Sequence, residues 1–87
     1  MRTRVVVSGH VQGVFFRDTT RREAARRGVA GWVRNRRDGA VEAVFEGPAA
    51  DVRALVAFCS SGPRDAAVDS VTTGDEEPEG LAGFEVR

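Results

Sequence analysis

Residues 4–28, RVVVSGHVQGVFFRDTTRREAARRG, contain a strand, a glycine loop and a helix in immediate succession. Arg4–Ser8 is a short, β-branched run that is typical of a buried central strand. Residues 18–28 have the acidic first turn, the helix-forming interior and the C-terminal glycine of a helix. The packing face of this helix is thin and consists of Phe16, Thr20 and Ala24. We therefore expect the helix to lie close against a sheet.

The next segment predicts a β-hairpin. Val29–Asn35 has the apolar character of a strand, and Trp32 is the largest apolar side chain in the sequence. Asp38 and Gly39 are typical of a two-residue type I′ turn, in which both residues have positive φ. Ala40–Glu46 alternates between two faces, as a strand with one face in the core does.

The second half of the chain predicts a further helix and two strands. Residues 47–62 indicate a helix, because Pro48 suits a first turn and apolar side chains recur at helical spacing. These apolar side chains are Val52, Leu55, Val56 and Cys59. Residues 67–73 predict a strand, residues 74–80 an acidic surface loop, and residues 84–87 a short edge strand.

This order of elements predicts the α+β class and a ferredoxin-like, split βαβ fold. In that fold, a two-layer sandwich, two helices cover one face of an antiparallel sheet. No linker or low-complexity segment divides the sequence, so we expect a single domain over residues 1–87. The fold does not indicate a function, because it carries many unrelated ones.

The composition is that of a soluble globular protein, with 41% hydrophobic and 30% charged residues. No apolar run approaches the ~20 residues of a membrane span, and the first residues do not resemble a signal peptide. Cys59 is the only cysteine, which excludes an internal disulfide and agrees with a reducing cytoplasm. One His and one Cys form no metal-ligand cluster. We expect a cytoplasmic monomer without a metal, a cofactor or a membrane partner.

The charges are divided unequally along the sequence, although the net charge is zero. Residues 1–39 contain ten arginines and three acidic residues, whereas residues 40–87 contain three arginines and ten acidic residues. The glycine loop lies in the basic half. An anionic ligand is therefore expected near this loop.

The glycine loop itself has the features of an anion site. The first N–H groups of the following helix are unpaired, and the helix dipole favours negative charge there. Gly9 and Gly13 would let the backbone curl so that successive N–H groups converge. Arg17 would add a planar pair of donors suited to two phosphate oxygens. The simpler alternative is a tight turn followed by a solvent-exposed arginine, and the residues alone do not decide between the two.

Two motifs in the sequence resemble those of the acylphosphatase family. The loop G-x-V-Q-G-V-x-F-R spans residues 9–17, and the hairpin G-W-V-x-N-x-x-D-G spans residues 31–39. The resemblance extends from Val5 to the closing residues 84–87. Members of that family are small ferredoxin-like enzymes that hydrolyse the carboxyl–phosphate bond of acyl phosphates without a metal or cofactor. The resemblance implies the same fold and the same activity here.

The resemblance also implies roles for individual residues. Arg17 corresponds to the phosphate-binding arginine, and Asn35 corresponds to the residue that positions the attacking water. The candidate substrate-binding residues, which would present backbone N–H groups to the phosphate, are Gln12, Gly13, Val14, Phe15 and Phe16. Thr20 matches a family threonine with at most a supporting role. His10 occupies a position that the motif leaves open and is interpreted as a loop-surface residue, and Cys59 as an inert core thiol.

Two alternative functions follow from the same sequence. A phosphate-binding accessory domain would keep the loop without catalysis, and the presence of both Arg17 and Asn35 argues against it. A nucleic-acid-binding module shares the architecture and the basic half, but it displays aromatic side chains on its sheet. The strands predicted at Arg4–Ser8 and Ala40–Glu46 contain one aromatic residue between them. We therefore expect a small acyl phosphate as the ligand and no nucleic acid.

Overall fold

The computed structural model describes all residues from Met1 to Arg87 as five strands and two helices. In chain order, these are β1 (Arg2–His10), α1 (Phe16–Arg27), β2 (Ala30–Asn35), β3 (Val41–Glu46), α2 (Ala49–Ser61), β4 (Ala67–Glu76) and β5 (Phe84–Val86). The strand order is β4-β1-β3-β2-β5, with α1 packed on β2 and β5, and α2 on β1 and β4. This is the predicted two-layer, ferredoxin-like arrangement.

The sheet is mixed, which corrects the prediction that it is antiparallel throughout. β1 pairs antiparallel with β3 and β4, and β2 pairs antiparallel with β3. β5 instead pairs in parallel with β2, with Gly31 opposite Phe84 and Val33 opposite Val86. Glu76, at the end of β4, lies opposite Arg2, at the start of β1. Because β1 and β2 begin at the same end of the sheet, β4 ends where β2 begins. The connection over residues 77–83 crosses that end, so β5 runs in the direction of β2.

The hairpin between β2 and β3 has a three-residue loop, so the predicted two-residue type I′ turn is wrong. The Gly39 N–H donates to the Arg36 carbonyl at 3.2 Å, and the Arg36 N–H donates to the Ala40 carbonyl at 2.8 Å. Gly39 has φ 91°, whereas Asp38 does not have positive φ. This is a type I turn followed by a left-handed glycine. The Asp38 carboxylate accepts the Ala40 N–H at 3.0 Å and supports the loop.

Both helices bury the predicted faces. α1 buries Phe16, Thr20 and Ala24, and ends where Gly28 adopts a left-handed conformation with φ 67°. α2 buries Val52, Leu55 and Cys59, whereas Val56, the fourth residue of the predicted face, is only partly buried. Burial raises the pKa of the Cys59 thiol to about 12, so this thiol stays protonated and unreactive at neutral pH. Neither helix combines the length and the apolar character that crossing a membrane requires.

The helix-free face of the sheet is covered by charged side chains from both halves of the sequence. Arg2 contacts Glu46 at 3.5 Å and Glu76 at 3.0 Å, and Arg4 contacts Glu42 and Glu76. The arginines therefore lie on β1, between carboxylates on β3 and β4. Because β1 comes from the basic half of the chain and lies between two strands of the acidic half, much of the charge asymmetry is neutralised within the sheet.

Trp32 lies on this helix-free face and is only 8% exposed. Its neighbour Val33 points into the core, so Trp32 points away from the helices. Guanidinium groups cover its ring, with Arg4 at 5.6 Å, Arg34 at 5.8 Å and Arg87 at 4.8 Å from the centroid. Cation–π contacts thus shield the largest apolar side chain where no helix is available.

Gly9 belongs to β1 rather than to the glycine loop, so the expectation that it curls the loop is wrong. The β1–β4 register shifts between Ser8 and Gly9, and Gly9 has φ 127°. A Cβ at this position would lie 2.3 Å from the Ala67 carbonyl oxygen and 2.7 Å from the Asp69 nitrogen. Close approach of β4 at a β-bulge therefore requires this glycine.

We predict that Gly9→Ala lowers the free energy of unfolding by about 2–4 kcal/mol, because it combines a backbone clash with an unfavourable φ. Gly74→Ala is the matched control on the same strand pair, since a Cβ there meets no heavy atom within 4 Å. That variant is expected to stay within about 1 kcal/mol of the wild type. Urea unfolding of both variants checks the difference, and equal costs would contradict the assignment.

Glu46 is expected to make stability depend on pH. Its carboxylate accepts the N–H groups of Glu79 at 2.7 Å and Leu81 at 2.8 Å, and it also contacts Arg2. The Glu79 N–H bond is the main cause that lowers the pKa of Glu46 below 4.5. Because the folded-state pKa is lowered, the stabilisation is complete above the unfolded-state pKa and is lost as the pH falls through the folded-state value.

Glu46→Gln should therefore reduce stability at neutral pH and flatten the dependence of unfolding free energy on pH between about 5 and about 3. Glu77→Gln is the control, because Glu77 is exposed and forms no ion pair. Urea unfolding at several pH values provides the comparison. An unchanged pH profile in Glu46→Gln would show that this carboxylate does not contribute.

Candidate functional site

The glycine loop and the β2–β3 hairpin lie at the same end of the sheet. The loop connects β1 to α1, and the hairpin follows β2. β1 and β2 run in the same direction, because each pairs antiparallel with β3 between them. The chain segments that follow β1 and β2 therefore emerge side by side, and this topology brings the two motifs together.

Arg17 and Asn35, the two candidate catalytic residues, line one cavity of about 390 Å³. Its walls are formed by Val11, Gly13, Phe15, Phe16, Arg17, Asp18, Asn35 and Val86. Three of the five candidate substrate-binding residues are among them. The remaining two, Gln12 and Val14, do not line the cavity.

The backbone of this loop offers a run of unpaired hydrogen-bond donors. The N–H groups of residues 12–18 donate to no acceptor within the chain. The first N–H group with a partner is that of Thr19, which donates to the Phe15 carbonyl at 3.0 Å. The loop and the first turn of α1 thus present seven consecutive free donors. Such donors at a helix N-terminus attract anions.

Two residues with positive φ shape the loop. Gly13 has φ 76°, and an added Cβ would meet no atom within 4 Å, so its backbone conformation is the reason for glycine. Phe15 has φ 63° and is the only residue other than glycine with positive φ. A bulky residue rarely adopts this conformation.

Gln12 connects the loop to the hairpin through its side chain. Its Nε2 donates to the Arg36 carbonyl at 2.8 Å and to the Ala40 carbonyl at 3.0 Å. The side chain is therefore committed to the hairpin, and only the backbone of Gln12 remains for a ligand. Val14 is buried in the core and likewise offers its backbone alone.

Most of the arginines in the basic half form ion pairs. Of the ten arginines in residues 1–39, eight lie within 4.0 Å of a carboxylate: Arg2, Arg4, Arg21, Arg22, Arg26, Arg27, Arg34 and Arg36. Arg17 and Arg37 are the two that remain. Both are exposed, and each lies within one of the two motifs. Within the basic half, the arginines without a carboxylate partner therefore both lie at this end of the sheet.

A second, wholly polar cavity of about 530 Å³ adjoins the first. It is lined by Arg34, Asn35, Arg36, Arg37 and Asp38, so the two cavities share Asn35. Asn35 makes no side-chain hydrogen bond within the chain. Its amide is therefore free to accept and donate hydrogen bonds in the shared region.

Sequence reasoning missed Val11, Asp18 and Val86 as cavity residues. Asp18 contacts Arg21 at 3.0 Å and Arg22 at 2.7 Å, and the Arg21 hydrogen bond is the main cause that lowers its pKa. Its negative charge is thereby compensated beside the candidate site. Val86 reaches the cavity because β5 pairs with β2, and no local pattern in the sequence indicates which sheet edge that strand joins.

The remaining candidates lie outside the cavity. Thr20 is fully buried in α1, and its hydroxyl has no hydrogen-bond partner. His10 is exposed at the end of β1, in agreement with its interpretation as a surface residue. No cluster of three or more His, Cys, Asp or Glu side chains has the arrangement of a metal site.

Comparison with known proteins agrees with this geometry. The sequence model of the acylphosphatase family matches residues 3–86. The acylphosphatase of Haloarcula marismortui is 59% identical over 86 residues, covering 99% of this chain and 94% of that protein. The acylphosphatase of Rubrobacter xylanophilus is 60% identical over 88 residues, covering 99% of this chain and 79% of that protein. The crystal structure of acylphosphatase from Bacillus subtilis has a TM-score of 0.94 at 36% identity, covering 99% of this chain and 97% of that chain. The chain belongs to the acylphosphatase family of hydrolases.

Proposed function

We propose that this protein hydrolyses acyl phosphates to a carboxylate and inorganic phosphate in the cavity between the glycine loop and the hairpin. The observation that carries the proposal is the joint placement of Arg17, Asn35 and the unpaired loop N–H groups around one cavity. All of these groups come from one chain and one domain, so a monomer suffices.

Arg17 and the loop backbone bind the phosphate in this proposal. The guanidinium has no carboxylate partner, and its planar pair of donors matches two non-bridging phosphate oxygens. The free N–H groups of residues 12–18 surround the remaining oxygens. Because phosphoryl transfer depends mainly on positioning and charge stabilisation, these donors are suited to the transition state.

Asn35 orients the attacking water. Its amide oxygen accepts a hydrogen bond from the water, but a neutral amide cannot take up a proton at pH 7. The water oxygen forms a bond to phosphorus while the bond from phosphorus to the acyl oxygen breaks, and the electron pair leaves with the carboxylate. The proton of the water passes to a phosphate oxygen of the substrate. A carboxylate is a good leaving group, so no strong general acid is required.

Arg17→Ala should reduce kcat/KM for benzoyl phosphate by more than about 10³-fold, with kcat falling and KM rising, because Arg17 contacts both the ground state and the transition state. Arg53→Ala is the matched control, since Arg53 is also exposed and unpaired but lies on α2. Steady-state kinetics of benzoyl phosphate hydrolysis are measured for both variants. Full activity in Arg17→Ala would overturn the assignment, and phosphate binding without hydrolysis by the wild type would indicate an accessory role.

Asn35→Ala should lower kcat by about 10²–10³-fold with a smaller change in KM, because the amide acts on the water rather than on the phosphate. Steady-state kinetics with benzoyl phosphate checks this division. A change confined to KM would mean that Asn35 binds the substrate instead of orienting the water.

EDTA treatment should leave the hydrolysis rate unchanged, because Arg17 and the loop N–H groups supply the positive charge that a metal would otherwise provide. The rate is measured before and after dialysis against EDTA. A loss of activity that Mg²⁺ or Zn²⁺ restores would contradict the metal-independent mechanism.

A further inference from the structure

Two of the three large apolar side chains that are exposed in this chain line the candidate site. Phe15 is 75% exposed and Val86 is 43% exposed, and the third is Met1. Single exposed apolar residues are common on protein surfaces. Here, however, two of them line the same cavity as Arg17 and Asn35.

The backbone holds the Phe15 ring outward. Its neighbours Val14 and Phe16 are buried, and the Phe16 ring packs against Phe58 at 6.1 Å. Phe15 adopts the left-handed conformation at the N-terminus of α1, which an aromatic residue rarely accepts. A strained residue at a ligand site suggests that its conformation serves function. The N–H groups beside it belong to the phosphate loop.

Val86 reaches the same cavity from the edge strand β5. It lies on β5, opposite Val33 of β2, and β5 packs against α1. Val11, which is buried in the core, adds a third apolar contact to the wall. The cavity therefore has an apolar wall in addition to the polar groups that bind phosphate.

The geometry of the reaction indicates where the acyl group lies. In an in-line displacement, the leaving oxygen departs on the side of the phosphorus opposite the attacking water. With the water at Asn35, the acyl group points away from the polar cavity of residues 34–38, which meets the first cavity only at Asn35. The acyl group therefore lies next to the apolar side chains of the first cavity.

We propose that Phe15 and Val86 form an acyl-group subsite, and that this subsite favours acyl phosphates with a large apolar acyl group over those with a small one. The inference rests on the proposed function, because it names the substrate class of the same site. The ring of Phe15 covers the face of an aromatic or branched acyl group, and Val86 contacts its edge. Burial of this apolar surface favours the larger substrate.

The test compares kcat/KM for benzoyl phosphate and acetyl phosphate, which share the reacting bond and differ in the acyl group. Phe15→Asn removes the ring but keeps the backbone, because asparagine accepts the left-handed conformation. We expect the ratio of benzoyl to acetyl kcat/KM to fall about tenfold in Phe15→Asn. Val86→Thr, which preserves the shape and introduces a hydroxyl, should lower the ratio about threefold.

Val6→Thr is the matched control, because Val6 lies on β1, outside both cavities. It should leave the ratio at the wild-type value. Suppose that the wild type hydrolyses both substrates, and that Phe15→Asn lowers kcat/KM equally for both or for neither. The subsite is then refuted while the proposed function stands. If the wild type hydrolyses neither substrate, the proposed function fails, and the subsite fails with it.

Discussion

The amide of Gln12 donates one hydrogen bond to the Arg36 carbonyl and one to the Ala40 carbonyl, and the candidate site depends on this link. Arg17 follows the glycine loop, whereas Asn35 ends a strand that is separated from β1 by β3. Parallel strand directions bring the two segments to one end of the sheet, but direction alone does not set their spacing. The Gln12 bonds join the loop to the hairpin, so the groups proposed to bind phosphate and the Asn35 amide are held in one frame.

The arginines fall into two groups, those that stabilise the sheet and those that remain free near the candidate site. The arginines of β1 pair with carboxylates of β3 and β4 or cover Trp32, and they stabilise a sheet face that no helix protects. Arg17 and Arg37 have no carboxylate partner and lie at the site end. The arginines of the basic half therefore have two different roles. Most form ion pairs within the chain, and a smaller number remain free to contact a ligand. Only the fold separates them.

Much of the fold and half of the site could be predicted from local patterns. The buried faces of α1 and α2 follow from helical spacing, and the resemblance of the two motifs to the acylphosphatase family points to Arg17 and Asn35 as candidates. The predictions about Gly9 and the hairpin turn were wrong for different reasons. Gly9 is required by the approach of β4, a contact between distant segments, and the turn differs because one left-handed glycine suffices where two positive-φ residues were expected.

Local sequence patterns indicated the element order and most core positions, because apolar periodicity and turn chemistry act over a few neighbouring residues. The candidate catalytic residues, Arg17 and Asn35, came from the motifs that resemble those of the acylphosphatase family. Tertiary structure decided which edge β5 joins, why Val86 reaches the cavity, and which arginines remain free. These features depend on contacts between residues far apart in the chain. Pairing across the sheet sets them, and no local pattern encodes that pairing.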